Sequence, residues 1–329
     1  MPVVSGAEDS AAQLRAAAGR RRRGGAIRRP DAAGKRAVCR RSAGVLLREL
    51  TAALLFCAAA LAAPPQRIVS TAPSLTETLF AVGAGPRVVG VTEFCRYPAE
   101  ALKKPRIGTF LEPNFERILA QRPDLVLVIR NPVRLAERLS QLGLRAVEIP
   151  QDTVAEILAS IEQIGRLTGT ESRAAGLTAS IRRDLDAVRQ RALQLPKKRV
   201  LFLVGRSPGT LQGMVGVGPG TFIDELIRMA GGVNVLADSP MAYPRVSVEQ
   251  ILAADPDVIL DMGDFAHQEG KPLESGEKFR AVWAPYQSLK AVRADSVRQV
   301  AGEALIRPGP RVAEGARLCL ELIHGVRMR

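Results

Sequence analysis

Three sets of residues in this sequence have types and spacings that could do chemistry. Gly205-Arg206-Ser207-Pro208-Gly209 has the G-x-S-x-G spacing of a nucleophile elbow, which exposes a serine hydroxyl at a strand-to-helix turn. The residue after that serine must offer its backbone N–H to an oxyanion, but Pro208 has none, and no helical pattern follows. An exported hydrolase is therefore a remote alternative. Gly216-Val217-Gly218-Pro219-Gly220, ahead of Thr221, has the glycine density of a phosphate loop. A dinucleotide fingerprint opens directly from a strand, however, and none is expected over Leu211 to Val215; a turn that starts a helix explains these glycines equally well. Tyr97, Tyr243 and His267 are each able to serve as an axial ligand to haem iron, and Arg96, Arg206, Arg245 and Arg307 could face an anionic ferric chelate. Tyr97-Pro98 and Tyr243-Pro244 read equally as loops that position the chain. With only two histidines, His267 and His324, a His-rich zinc or manganese site is excluded, and no cofactor or metal is expected.

Composition narrows the class further. Of 329 residues, 47 are Lys or Arg and 33 are Asp or Glu, a net charge of +14. Twelve of the basic and four of the acidic residues fall within the first 63 positions, leaving an excess of only six over the remainder. So thin an excess is not the concentrated footprint of a nucleic-acid binder. A hydrophobic content of 47% is enough to bury real cores.

Residues 1–41 are Ala, Gly and Arg without apolar periodicity and are expected to be unfolded. The uncharged run from Leu50 to Ala63 follows Arg40, Arg41 and Arg48. It is short for a membrane span of about 20 residues but suits a secretory signal, with Ala60-Leu61-Ala62 as the cleavage site. A soluble periplasmic protein beginning near Ala63 is expected, a retained anchor being the alternative. Cys57 follows bulky Phe56 and is poorly placed for lipid attachment. No Met lies between Met1 and Met214, so translation is expected to start downstream at a non-Met codon such as that of Val38 or Val45. Cys95 and Cys319 remain after cleavage and could pair, with no spacing signature to decide it.

Short apolar runs alternating with amphipathic segments imply parallel strands with crossover helices. Strands are expected at 67–70, 88–91, 125–129 and 146–149, then at 200–204, 258–261 and 297–300. Helices are expected at 74–81, 115–121, 133–142 and 153–168, then at 222–230, 248–254 and 310–323, with Ser74 and Glu77 as a capping box for the first. Between the halves, Glu171 to Leu195 carries Leu177, Ile181, Leu185 and Val188 at helical spacing and ends at Pro196. The resulting architecture is α/β: a leader (1–63), a Rossmann-like lobe (64–168), a long rigid connecting helix (169–195) and a second Rossmann-like lobe (196–329), each lobe with a parallel sheet and with a ligand cleft between them. Phe115 to Leu127 aligns without a gap on Val248 to Leu260, placing Glu116 and Glu249 at equivalent helix starts.

These residues resemble a known family, the helical-backbone substrate-binding proteins of ABC importers, closest to the vitamin B12-binding and iron-siderophore-binding types. The resemblance spans about residues 66 to 325. It is carried by Arg67-Ile68-Val69-Ser70 with Pro73-Ser74-Leu75-Thr76-Glu77, by Val89-Gly90-Val91-Thr92 with Cys95-Arg96-Tyr97-Pro98, and by Asn114-Phe115-Glu116. In the second half it is carried by Gly220-Thr221-Phe222-Ile223-Asp224-Glu225-Leu226, Tyr243-Pro244-Arg245-Val246-Ser247 and Arg307-Pro308-Gly309-Pro310-Arg311. The resemblance implies a monomeric binder rather than an enzyme, holding one small molecule, such as cobalamin, between its lobes. Phe94, Phe110, Thr210, Tyr243, Glu303 and Arg307 would face the ligand, and Glu116 and Glu249 would meet arginines of the importer's membrane permease subunits. Corrinoid binders of this family tend to use Trp in the cleft; here Phe110 and Tyr243 stand in its place, and apart from the resemblance Phe94 and Phe110 read as ordinary core.

Overall fold

The computed structural model describes residues 63–130, 133–264, 274–301 and 303–328. The expected signal and cleavage site lie outside these residues, as does His267. Strands β1 (Ile68–Ser70), β2 (Val88–Val91), β3 (Leu125–Val128) and β4 (Ala146–Glu148) form a parallel sheet in the order β2-β1-β3-β4. A second sheet contains β5 (Lys198–Gly205), β6 (Val215–Gly216), β7 (Gly232–Asn234), β8 (Val258–Asp261) and β9 (Val297–Gln299). Here β7 pairs with the start of β5 in parallel, β6 pairs with its end antiparallel, and β8 and β9 follow in parallel. The order β7-β5-β8-β9 thus repeats β2-β1-β3-β4. Strands covered on both faces must be apolar throughout, and Leu125-Val126-Leu127-Val128 is buried at every position.

The helices are α1 (Pro73–Ala81), α2 (Phe115–Ala120), α3 (Leu135–Gln141), α4 (Val154–Thr168), α5 (Glu171–Ala192), α6 (Phe222–Met229), α7 (Val248–Ala254), α8 (Gly276–Trp283), α9 (Lys290–Arg293) and α10 (Val312–His324). The connecting helix α5 has 22 residues, about 33 Å at 1.5 Å per residue. Its buried stripe is Ala174, Thr178, Ile181, Leu185, Val188 and Ala192. That stripe belongs to a central core running from Leu75 and Leu125 through Ile157 and Leu185 to Phe202, Leu260 and Leu320. The lobes therefore share a core as well as a helix. Alternate strand residues face the other way, so Val69 and Val126 pack with Ile118 in one lobe, while Leu201 and Ile259 pack with Ile251 and Trp283 in the other.

The sequence echo extends into atomic detail. In the first lobe the Asp124 carboxylate accepts from the Gln66 and Arg67 N–H groups, at 2.7 and 3.0 Å, while Arg67 Nε donates to the Gln121 carbonyl at the end of α2, 2.8 Å away. In the second, Asp257 accepts from the Arg199 N–H at 2.8 Å, and Arg199 donates to the Ala254 carbonyl at the end of α7, also at 2.8 Å.

Some expectations change. The Ser74–Glu77 capping box does not form: α1 begins at Pro73 after Ala72, Ser74 donates to Gln151, and Glu77 is taken by Arg311. The connecting helix stops at Ala192, short of Leu195. Strands β6 and β7 and helices α8 and α9 were not expected. Cys95 and Cys319 are both free and buried.

Candidate functional site: a cleft at the carboxyl ends of the strands

Open parallel sheets bind ligands beyond the carboxyl ends of their strands. Phe94 follows β2 there and is half-buried, as is Phe110; neither belongs to the fully buried core. Phe110 is carried on a tight loop in which the Thr109 N–H donates to the Glu112 carbonyl at 3.0 Å. Gly108 closes it at φ +95°, where an added Cβ would lie 2.5 Å from the Glu112 carbonyl oxygen. The loop presents Leu111, 57% exposed, beside Phe110.

In the second lobe, residues 242–246 lie antiparallel to residues 214–218. The Gly218 N–H donates to the Ala242 carbonyl at 2.8 Å, the Gly216 N–H to Pro244 at 2.9 Å, and the Val246 N–H to Met214 at 3.0 Å. The glycine run is therefore a seat for the Tyr243 loop. Tyr243 is partly buried, with 45% of its surface exposed. That burial pushes the phenol above its usual pKa, with the carboxylate of Asp152, in the other lobe, adding to the effect.

Arg307 donates its backbone N–H to the Glu303 carbonyl at 3.0 Å, and its Nη2 lies 3.6 Å from the Glu303 carboxylate. Its Nε is buried and has no hydrogen-bond partner among the described residues. A buried donor left unpaired costs about 1–3 kcal/mol, so Arg307 is suited to an acceptor on a ligand. Thr210 is exposed at the tip of a loop closed by the Ser207 N–H donating to the Gln212 carbonyl at 2.8 Å.

Other candidates are redirected. Arg206 is fully buried: its Nε donates to Asp261 at 3.0 Å and its Nη2 to Glu274 at 2.6 Å, while Trp283 Nε1 donates to Asp261 at 2.9 Å. It cannot face an anionic chelate, and the segment around Ser207 is a loop anchored by this pair rather than a nucleophile elbow. Trp283, the one Trp in the sequence, is committed to the same network. Tyr97 has one face of its ring under the Arg311 guanidinium, 4.3 Å from the centroid. Sequence reasoning read Gly218 only as part of a helix-starting turn and did not single out Asp152, because the contacts that bring both next to the Tyr243 loop are tertiary.

Glu116 and Glu249 are both exposed in the first turns of α2 and α7. Asn114 caps the first helix and Ser247 the second, the latter in a capping box with Gln250. Hydrogen bonds from the Ser247 hydroxyl and its own backbone N–H hold the Glu249 carboxyl below its ordinary pKa, so it is firmly ionised at neutral pH.

Known proteins share this architecture. The vitamin B12-binding protein of Vibrio cholerae O395 is 30% identical over 253 residues, covering 76% of this chain and 86% of that one. The crystal structure of the Vibrio cholerae protein, BtuF, superposes with a TM-score of 0.67 at 28% identity, covering 79% of this chain and 97% of that one. A Bacillus subtilis ABC transporter substrate-binding lipoprotein is 29% identical, covering 79% of this chain and 80% of its own. The periplasmic haem-binding protein RhuT of Roseiflexus also superposes with a TM-score of 0.67, at 25% identity over 78% of this chain and 98% of its own. A family model described as periplasmic binding protein matches residues 68–302. With two α/β lobes of mainly parallel strands, a helical connection, and a family model and relatives that cover most of its length, the chain belongs to the periplasmic binding protein family.

Proposed function

We propose that this protein is an exported, periplasmic binding protein, not an enzyme, that captures a cobalamin-type corrinoid and delivers it to an ABC importer. The observation that carries the reading is the set of half-exposed aromatics at the carboxyl ends of the strands, Phe94, Phe110 and Tyr243, joined by Arg307 with its unpaired Nε. Aromatic faces stack on a flat macrocycle, and a guanidinium meets its peripheral amide or phosphate oxygens. The vitamin B12-binding relatives support this cargo, and Phe110 and Tyr243 supply stacking where Trp283 is withdrawn into the core. The RhuT likeness shares the fold equally, but two of the groups an iron cargo would call on are engaged elsewhere: Arg206 is consumed by two carboxylates, and Tyr97 is stacked on Arg311. Glu116 and Glu249 are the proposed contacts with the permease subunits. Among the described residues no helix is long and apolar enough to cross a membrane.

Titration with cyanocobalamin, haemin and a ferric siderophore, followed by absorbance and calorimetry, tests the reading. Micromolar or tighter corrinoid binding is expected; binding of haemin or the siderophore without the corrinoid would refute the cargo.

A further inference from the structure

The glycine run at Gly216–Gly220, which seats the Tyr243 loop, opens a segment that touches both lobes. At its near end, Gly216 and Gly218 hold the carbonyls of Pro244 and Ala242. At its far end, where α6 starts, the Phe222 N–H donates to the Asp152 carbonyl of the first lobe at 2.6 Å, and Glu225 accepts from the Val154 N–H at 2.7 Å. Thr221 stiffens the stretch between, its hydroxyl donating to the Gly218 carbonyl at 3.2 Å and accepting from the Asp224 N–H at 3.1 Å. One short segment thereby fixes the Tyr243 loop and the Asp152 loop relative to each other.

Gly218 is demanded here by space. A Cβ on it would sit 2.1 Å from the Met241 carbonyl oxygen and 3.3 Å from that of Ala242. These are backbone atoms, which cannot swing aside as the end of a side chain can. Asp152 can serve a ligand: its side chain is 61% exposed, and among the described residues its carboxylate is held only by Arg130, at 3.4 Å.

We propose that Gly218 is a positioning residue of the cleft, seating the Met241–Tyr243 loop flush on the 216–222 segment so that the Tyr243 ring stands near Asp152, a stacking face beside an acceptor for amide N–H groups of the cargo. This rests on the cleft being the binding site, and it adds two residues to it. Primary amides around a macrocycle are the chemistry such a pair recognises, the ring taking the flat face and the carboxylate an edge N–H.

The test uses the mature protein and two readouts. The first needs no ligand: ultraviolet difference titration against Tyr243→Phe isolates the ionisation of Tyr243 among three tyrosines. Gly218→Ala and Asp152→Asn are each expected to move that ionisation down toward the ordinary tyrosine value. The second is cyanocobalamin affinity in a double-mutant cycle. Gly218→Ala is expected to weaken binding about fivefold, the worth of a stacked ring, and to cost almost nothing further in a Tyr243→Ala background. An unmoved Tyr243 ionisation in either variant, or equal losses from Gly218→Ala with and without the Tyr243 ring, overturns the proposal. Should Gly218→Ala fail to fold, Asp152→Asn, at an exposed side chain, decides by the same titration and by its own loss of affinity. If the wild-type protein takes haemin and not cobalamin, the cargo reading falls, while the tyrosine titration and the cycle run with haemin still decide this one.

Discussion

Arg311, entering α10 of the second lobe, grips the carboxylate of Glu77 in α1 of the first, with Nε 2.8 Å and Nη2 2.6 Å from its two oxygens. Glu77 is buried and the Arg311 side chain is 19% exposed. Gly309 packs against the backbone of Ser74 beside them, and Tyr97 covers the guanidinium. The lobes are therefore pinned at the cleft as well as along α5.

Removing one partner of a buried pair strands the other charge, which costs about 3–5 kcal/mol. Arg311→Met is accordingly expected to lower unfolding free energy by about 3 kcal/mol, with Arg311→Lys losing less because it keeps the charge but not the paired geometry. Urea unfolding checks this; a midpoint unchanged in Arg311→Met would show that the pair is not holding the lobes.

Cys319 gives a pH prediction. Complete burial pushes its thiol up to about 12. In the unfolded chain the thiol ionises near its ordinary pKa of about 8.5, so between that pH and about 12 the unfolded state releases a proton that the folded state keeps. Stability contributed by the protonated thiol is thus fully present below the unfolded pKa and is lost as pH rises, by up to about 1.4 kcal/mol per unit. From pH 9 to pH 10 the wild-type protein should lose about 1 kcal/mol more than Cys319→Ala. Equal losses in urea titrations at the two pH values would contradict it.

Much of the fold was legible because its signals are local. The run Leu125 to Val128 is a buried strand by composition, and Val248 to Ala254 is a helix by period. The duplicated Pro-Asp stops announced the echo, although the Arg67 and Arg199 contacts that complete it lie upstream of the matched segments. The site was less legible because its determinants are far apart in the chain. Ser74 and Glu77 have the local form of a capping box, but the partner that claims Glu77 is 234 positions away. Arg206 sits in a motif that looks chemical, and only Asp261, Glu274 and Trp283 reveal it as buried scaffolding. Strand β6 has two residues, too few for an alternation to show, yet it is what seats Tyr243.

For the cargo, Phe110→Ala and Tyr243→Ala are each expected to weaken cyanocobalamin binding about fivefold, since a stacked ring contributes on the order of 1 kcal/mol beyond burial. Arg307→Met should weaken it about tenfold or more, because hydrogen bonds to a charged donor are worth about 1.5–3 kcal/mol. Calorimetry reads all three. Unaltered affinity in Arg307→Met would assign the unpaired Nε no part in the cleft.

The strongest expectation about the partner comes from the duplication. Glu116 and Glu249 occupy the same register in two helices with the same strand order behind them, so two equivalent subunits, each offering a cation, could engage both at once. Neither side chain has a role in the packed core, so Glu116→Arg with Glu249→Arg should leave cobalamin affinity nearly unchanged and lower unfolding free energy only by the helix-start contribution, about 0.3–1 kcal/mol each. Each site would then present like charge to the partner's cation, and such juxtaposition suppresses docking. Reconstituted uptake should fall about tenfold or more, with either single reversal intermediate. Ligand affinity and uptake are measured on the same preparations. Normal uptake by the double variant, or uptake reduced only in proportion to lost ligand binding, would remove these glutamates from the interface.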